Sequence, residues 1–312
     1  MSLCRQEYEL HYNPYDYSED YLTFVALESG TFTFDNNAIS YSTDNGETWT
    51  QGKSVAVNSG DKVMWKGTMT PAEDVGIGTF SSTGNFDVQG NVMSLLFGDN
   101  FKGQTSLTGK DYAFCSLFYN NTKMVSAENL SLPATTLANR CYGYMFESCT
   151  SLTTAPKLPA TIAANKCYYY MFRYCTALTT APELPATTLA SSCYSSMFYG
   201  CTALTTAPEL PATTLANSCY QGMFNGCTNL TTAPELPAIS LADACYGFMF
   251  QNCTSLNYIK AMFTTTPSTS YTQNWVYGVA ASGTFVKNSA AQWNVSGVDG
   301  IPSGWTVQTA NN

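Results

Sequence analysis

Apolar and polar positions recur with one fixed period through the middle of the chain. Near-copies of a single segment begin at Leu132, Leu158, Leu184, Leu210 and Leu236, so successive copies are 26 residues apart. Their common pattern is L-P-A-T-T-L-A-x-x-C-Y-x-x-M-F-x-x-C-T-x-L-T-T-A-P-x, and a weaker copy precedes them around Phe118. A fixed period of this length is typical of repeat architectures, so we predict a stack of equivalent units.

Within each copy the spacing predicts a short helix and then a short strand. Leu137, Cys141 and Met145 are four residues apart, which is the spacing of one face of a helix. The Thr-rich stretch "TSLTTAP" follows, and its β-prone residues predict a strand that ends at Pro156. One such unit cannot bury its own apolar face. We therefore expect stacked copies with a parallel sheet on one side and helices on the other.

The run "MFESCTSLTTAPKLP" resembles the A-F-x-x-C-x-x-L-x-x-I-x-L-P motif of BspA-like leucine-rich repeats, which occur in surface proteins of gut and oral anaerobic bacteria. Met145 replaces the usual Ala of that motif, Cys141 an Ile, and Ala155–Pro156 stand where a longer aliphatic strand is usual. The resemblance implies an α+β fold built as a right-handed leucine-rich-repeat solenoid with short helices. It also implies a role in adhesion or in binding a host or matrix protein, without catalysis.

The flanks of the repeats have a different pattern. Residues 21–90 alternate apolar and polar positions between Asn, Asp and Gly turns, which predicts a small β-sandwich with Trp49 and Trp65 in its core. After Phe263 the chain is predicted to form a C-terminal cap, in which Trp275, Trp293 and Trp305 cover the open end of the repeats. The predicted organisation is an N-terminal segment 1–20, a β-sandwich 21–90, a solenoid 91–263 and a cap 264–312.

The cysteines of the copies fall into two sets of equivalent positions. The first cysteine column is Cys141, Cys167, Cys193, Cys219 and Cys245, and the second is Cys149, Cys175, Cys201, Cys227 and Cys253. Equivalent positions of stacked repeats lie above one another, and free cysteine is often fully buried. We therefore expect two columns of buried thiols. Disulfides stay open as the alternative, although parallel side chains within a column are poorly placed to bridge.

Composition and charge narrow the classes of partner. Charged residues make up 11% of the chain and the formal net charge is −9, which argues against nucleic acid because phosphate binding needs clustered Lys and Arg. No apolar run is long enough to span a bilayer. The first 20 residues show no signal peptide, with Cys4 as a conceivable lipid-attachment site. The low-charge, Tyr/Ser/Thr/Asn-rich composition is nevertheless typical of an extracellular or cell-surface protein.

No catalytic, metal-binding or cofactor-binding motif stands out. The single histidine, His11, lies far from the repeats, and no C-x-x-C pair, P-loop or dinucleotide fingerprint occurs. We therefore expect no enzyme, no metal and no cofactor.

Positions that differ between copies are where a partner could be recognised. Aromatic residues occur there at Tyr144, Tyr169, Tyr170, Tyr174, Tyr199 and Phe248. They fall away from the apolar stripe, and tyrosine offers contact area with little loss of entropy. The alternative is that these positions are unconstrained and face solvent. The first hypothesis is thus a non-enzymatic interaction protein that binds a host protein or a glycan; the second is a spacer or stalk that displays the β-domain.

Overall fold

The computed structural model describes residues 16–310; residues 1–15, which include Cys4 and His11, and residues 311–312 lie outside the described part. The strands are β1 (Leu22–Ala26), β2 (Gly30–Phe34), β3 (Ile39–Ser42), β4 (Thr50–Gln51), β5 (Ser54–Val57), β6 (Lys62–Gly67), β7 (Phe80–Ser82), β8 (Phe86–Asn91), β9 (Met124–Ser131), β10 (Tyr258–Ala261), β11 (Thr284–Lys287) and β12 (Thr306–Thr309). The helices are α1 (Ser94–Phe97) and α2 (Thr269–Thr272), with 3-10 turns at Tyr17–Glu19 and Gly98–Asn100.

Two facing sheets form the N-terminal part. One has the order β4-β3-β6-β1-β8-β9 and the other β5-β2-β7. Phe24 of β1 meets Phe32 of β2 and Phe80 of β7 at ring-centroid distances of 5.3 and 4.8 Å, so the aromatic core lies between the sheets. Trp65 is fully buried there. Trp49, expected in this core, is only half-buried and lies beneath the Lys66 ammonium, 4.1 Å from the ring centroid.

The expected α+β leucine-rich-repeat solenoid is wrong. Both described helices have only four residues and lie outside the five copies, and residues 132–257 form no strand of a sheet. The copies contain single β-bridges, such as Thr180 to Thr206, in place of a parallel sheet. Each of the first four copies has two prolines, Pro133 and Pro156 in the first, and they remove ladder donors at and beside the expected strand.

Consecutive tight turns take the place of the expected helix. The N–H of Met145 donates to the carbonyl of Tyr142, three residues earlier, at 3.3 Å. The next N–H, of Phe146, donates instead to the carbonyl of Met171 in the following copy, at 2.9 Å. This alternation returns in each later copy, so the copies lie on one another as a turn stack, the name used here for residues 107–278. Backbone donors are satisfied half locally and half by the next copy.

Two columns of rings run through the interior of the turn stack. The first is Tyr142, Tyr168, Tyr194, Tyr220 and Tyr246, with successive centroids 5.4–6.1 Å apart. The second is Phe146, Phe172, Phe198, Phe224 and Phe250, with spacings of 5.2–5.9 Å. Neighbouring rings in both columns are within 10° of parallel. All ten rings are buried, so these columns form the main core of the copies.

The hydroxyl at the start of the tyrosine column gives a stability prediction. Tyr142 Oη is buried and has no hydrogen-bond partner among the described residues. Phe114 occupies the equivalent place in the preceding turn and stacks on Tyr142 at 5.7 Å. Because an unsatisfied buried hydroxyl is costly, Tyr142→Phe should raise the free energy of unfolding by about 1 kcal/mol in urea denaturation. Tyr119→Phe, at an exposed tyrosine, should change nothing measurable; a destabilised Tyr142→Phe protein would contradict the assignment.

The cysteines of both columns are buried and free. In the second column each thiol lies 3.0–3.1 Å from the carbonyl oxygen of a phenylalanine in an earlier turn, as Cys201 Sγ does from Phe172 O. A sulfur in this position donates only when it carries its proton. Burial raises the pKa of every column thiol, for example to about 12 for Cys201.

The far end of the turn stack is covered by the C-terminal residues. Strands β10, β11 and β12 form a three-stranded parallel sheet. Trp275, Trp293 and Trp305 are buried, and each indole N–H donates to a backbone carbonyl at 2.8–3.1 Å. The ring of Trp275 lies 6.1 Å from Phe250, the last ring of its column. These indoles therefore shield the apolar end of the ring columns from water.

Candidate binding surface

Several outward side chains of the turns occupy positions where the backbone conformation favours glycine. Every fourth residue of a turn run has positive φ, including Tyr144 at 57°, Tyr170 at 58° and Tyr174 at 59°. This conformation costs a residue with a Cβ about 1–2 kcal/mol, and glycine adopts it freely. Gly222 matches Tyr170 in a later copy, and Gly200 matches Tyr174. The fold therefore does not depend on tyrosine at these places.

Five of the six predicted binding residues lie together on the turns of the first three copies. Tyr144 contacts Tyr169 and Tyr170 edge-on, at centroid distances of 5.4 and 5.3 Å. Tyr169 and Tyr170 stack on each other at 4.0 Å. Tyr174 meets Tyr199 of the following copy at 5.4 Å. Phe248, the sixth, lies three copies beyond Tyr170 and is not part of this cluster.

Two arginines organise the cluster, and neither was predicted as a binding residue. The guanidinium of Arg173 lies 4.8 Å from the ring centroid of Tyr170, 4.6 Å from Tyr174 and 5.2 Å from Tyr199. That of Arg140 lies 5.6 Å from Tyr112, 6.0 Å from Tyr144 and 5.7 Å from Tyr169. These are cation–π distances, so the arginines hold the rings in place. We call this surface the Tyr–Arg face; it consists of Tyr112, Arg140, Tyr144, Tyr169, Tyr170, Arg173, Tyr174 and Tyr199.

Small residues let these large side chains pack closely. A Cβ added to Gly200 would meet the ring of Tyr174 at 2.5 Å, and one added to Gly143 would meet Cγ of Arg140 at 2.8 Å. Both glycines occupy positions that carry larger residues in other copies. The variation among the copies is therefore matched locally to the bulk of the neighbouring aromatic and arginine side chains.

Each arginine is paired with a carboxylate. Arg173 donates to Glu147 at 2.9 Å, and Arg140 pairs with Asp74, which lies in the loop between β6 and β7. That loop packs directly on the turn stack, since a Cβ added to Gly76 would lie 2.6 Å from the carbonyl oxygen of Cys115. The Tyr–Arg face thus extends to the junction with the N-terminal sheets, a common location for binding sites.

A shallow groove of about 540 Å³ lies at this junction. We call it the Asp74 groove; it is lined by Asp74, Ser116, Tyr119, Arg140, Tyr144, Glu147, Tyr170 and Arg173. Asp74 and Glu147 balance the two guanidiniums, so its lining carries no net formal charge. The groove combines ring faces with charged and hydroxyl groups, as sites that orient a ligand do.

Glu147 is the most unusual group in the groove. Its side chain is only 7% exposed, and burial raises its pKa, against which the attraction of Arg173 acts. One oxygen, Oε2, has no hydrogen-bond partner among the described residues. The Nε atoms of Arg140 and Arg173 also lack a partner there. Buried polar atoms rarely lack a hydrogen bond, so the groove is unusual in holding three of them without one.

The sequence held a partial indication of these missed residues. Arg173 and Glu147 occupy one position of the repeat, which holds Tyr199, Asn225 and Gln251 in the later copies. Only 11% of the residues in this chain are charged, so a charged residue at a variable position could have been recognised as a candidate. Asp74 could not, because its pairing with Arg140 joins residues 66 positions apart through a loop of another part of the fold.

A metal site and a membrane-spanning helix are both absent from residues 16–310. No group of three or more His, Cys, Asp or Glu side chains in that range is arranged to hold a metal ion. No helix in that range is long and apolar enough to cross a bilayer.

Comparison of the chain with protein-family models, curated proteins and solved structures finds no match. The Tyr–Arg face and the Asp74 groove must therefore be interpreted from their own chemistry.

Proposed function

We propose that this chain is a non-enzymatic, secreted or cell-surface interaction protein that binds a host protein or a glycan through the Tyr–Arg face. The observation that carries the proposal is the packing of Arg173 against Tyr170 and Tyr174, two tyrosines whose positive φ angles glycine would adopt at lower cost. Tyrosine and arginine are the residue types that dominate binding energy at protein surfaces.

The side chains of the Tyr–Arg face are already ordered by one another. Ring contacts of 4.0–5.4 Å and cation–π contacts of 4.6–6.0 Å restrict their rotamers before any partner arrives. Binding then costs less side-chain entropy than it would for free surface tyrosines. This preorganisation favours a recognition surface over an unconstrained one.

The phenols of the Tyr–Arg face are hydrogen-bond donors at neutral pH. A free phenol has a pKa of about 10, and burial raises the pKa values of Tyr144 and Tyr169 further. Both hydroxyls can therefore donate hydrogen bonds to a ligand. The charged groups beside them are engaged in ion pairs.

A spacer function is the second candidate. The ring columns continue with even spacing through all five copies, which favours a stiff element that could display the N-terminal sheets. In that case the Tyr–Arg face would have no partner.

Exchanging three tyrosines for their counterparts in the third copy separates the two candidates. The variant Tyr169→Ser, Tyr170→Ser, Tyr174→Gly introduces the residues found at Ser195, Ser196 and Gly200. Removing three central aromatic contacts should weaken binding by about 100-fold or more, measured on an array of matrix proteins and glycans. The melting temperature should change little, because the chain already uses these residues in the same turns.

The matched control changes three exposed threonines elsewhere on the copies, Thr179, Thr205 and Thr231, to serine. Its binding should equal that of the unmodified chain. If the tyrosine variant binds as well as the control, the Tyr–Arg face is not the binding surface, and the spacer function is favoured.

A further inference from the structure

We propose that the Asp74 groove recognises an uncharged saccharide. This inference rests on the proposed function and narrows it to one class of ligand. Three features of the groove lead to it: the balance of charge, the presentation of ring faces and the mixture of unpaired donors and an acceptor.

The charge balance disfavours an anionic ligand. Arg140 is paired with Asp74 and Arg173 with Glu147, so each guanidinium already faces a carboxylate and the lining offers an anion no net positive charge. A sulfate, phosphate or carboxylate at Arg173 would also lie beside the Glu147 carboxylate, whose side chain is 7% exposed. Like charges held close together disfavour each other. The net charge of −9 on the whole chain also repels anions.

The ring faces suit a ligand with flat apolar surfaces. Tyr119, Tyr144 and Tyr170 line the groove, and Tyr119 is 47% exposed. A pyranose ring has a face of C–H groups that can lie on such rings while its hydroxyls point to the sides. Tyr170 packs between Tyr169 and Arg173, which fixes its ring as a wall of the groove, and Tyr119 offers the exposed ring face.

The unpaired atoms suit a ligand with hydroxyl groups. Glu147 Oε2 needs a donor, whereas Nε of Arg140 and Nε of Arg173 need acceptors. A sugar hydroxyl is both donor and acceptor, so one saccharide can satisfy the two kinds of atom. The three atoms are buried in the unbound protein, so a ligand hydroxyl meets them only when a side chain of the groove moves aside, a local cost that is set against the preorganisation of the Tyr–Arg face.

The test uses the full chain and two sets of immobilised oligosaccharides. The neutral set is maltohexaose, cellohexaose, mannohexaose and a poly-N-acetyllactosamine; the anionic set is heparin oligosaccharides and polysialic acid. We expect binding to at least one neutral probe, with an affinity that changes less than about threefold between low and high salt, because no ion pair forms with the ligand.

Matched variants locate this binding in the groove. Tyr170→Gly removes a ring where glycine is already tolerated, as at Gly222, and should weaken saccharide binding about tenfold or more. Ser196→Gly makes the same backbone change one copy further on, outside the groove, and should leave binding unchanged.

The outcomes separate the inference from the proposed function. Binding to the anionic probes alone, or to no saccharide, overturns the inference, and the proposed function survives if the triple tyrosine variant loses a matrix-protein partner. If neutral saccharide binding persists in both Tyr170→Gly and the triple variant, the inference is overturned. The Tyr–Arg face is then not the binding surface either.

Discussion

Raising the pH from 8 to about 10 should unfold the protein. Burial raises the pKa values of the ten column thiols above that of a free thiol, to about 12 at Cys141, Cys149 and Cys201. In the unfolded chain a thiol has a pKa of about 8.5. Because the folded pKa values are the higher ones, the stabilisation is complete below the unfolded pKa and is lost as the pH rises towards the folded one.

The expected size of this effect is large. At pH 10 each thiol held protonated in the fold contributes about 2 kcal/mol against folding, so ten contribute about 20 kcal/mol. A typical protein has a free energy of unfolding of about 5–15 kcal/mol. Circular dichroism and tryptophan fluorescence, recorded as the pH is raised, should show one steep transition between about pH 9 and 10.

Serine provides the control, because it keeps a donor for the phenylalanine carbonyl and does not ionise in this range. Replacing the thiol of Cys201 alone by serine should reduce the pH dependence by about a tenth, in proportion to the number of thiols. Thiol reagents should find the eleven described cysteines unreactive at neutral pH and reactive after denaturation. A fold that persists at pH 11, or column thiols that react in the native protein, would contradict the prediction.

Removing one ring from the middle of the phenylalanine column should destabilise the protein by about 3–5 kcal/mol. Phe198 is fully buried and lies 5.7 Å from both Phe172 and Phe224. Each of these two rings also stacks on a further ring of the column, so Phe198→Ala leaves a cavity that they cannot easily move to fill. The melting temperature should fall by about 10 °C or more, measured by calorimetry.

Thr206→Ala, at an exposed position of the same copy, is the matched control and should stay within about 0.5 kcal/mol of the unmodified chain. A loss below about 1 kcal/mol for Phe198→Ala would mean that the column can collapse around the gap, and that the rings support the copies less than their burial indicates.

The period of the repeat could be predicted from the sequence, and the local structure within it could not. Leu137, Cys141 and Met145 are four residues apart, and this spacing fits both a helix of 3.6 residues per turn and consecutive turns that repeat every four. Positive φ angles at Arg140 and Tyr144 distinguish the turns from a helix. Arginine and tyrosine rarely adopt positive φ, so their presence in the sequence does not predict it. The choice was decided by hydrogen bonds to the next copy, which are contacts that a local pattern does not contain.

The candidate site was predictable to a similar extent. Variation among copies placed Tyr144, Tyr170 and Tyr174 on one surface, where their rings cluster. The groove itself depends on the loop around Asp74, which reaches the turn stack from the N-terminal sheets. Nothing in the repeat pattern indicates which loop of the N-terminal sheets packs against the turn stack. The charges of the site therefore became apparent only from the tertiary structure.

The alternating hydrogen bonds of the turn stack give every junction between neighbouring copies the same backbone contacts. Phe146 donates to Met171 as Phe172 donates to Met197 and Phe198 to Met223. A copy could thus be gained or lost between the third and the last without changing these backbone contacts. The Tyr–Arg face occupies the early turns, so the reach of the molecule can lengthen or shorten in evolution while its recognition chemistry is inherited intact.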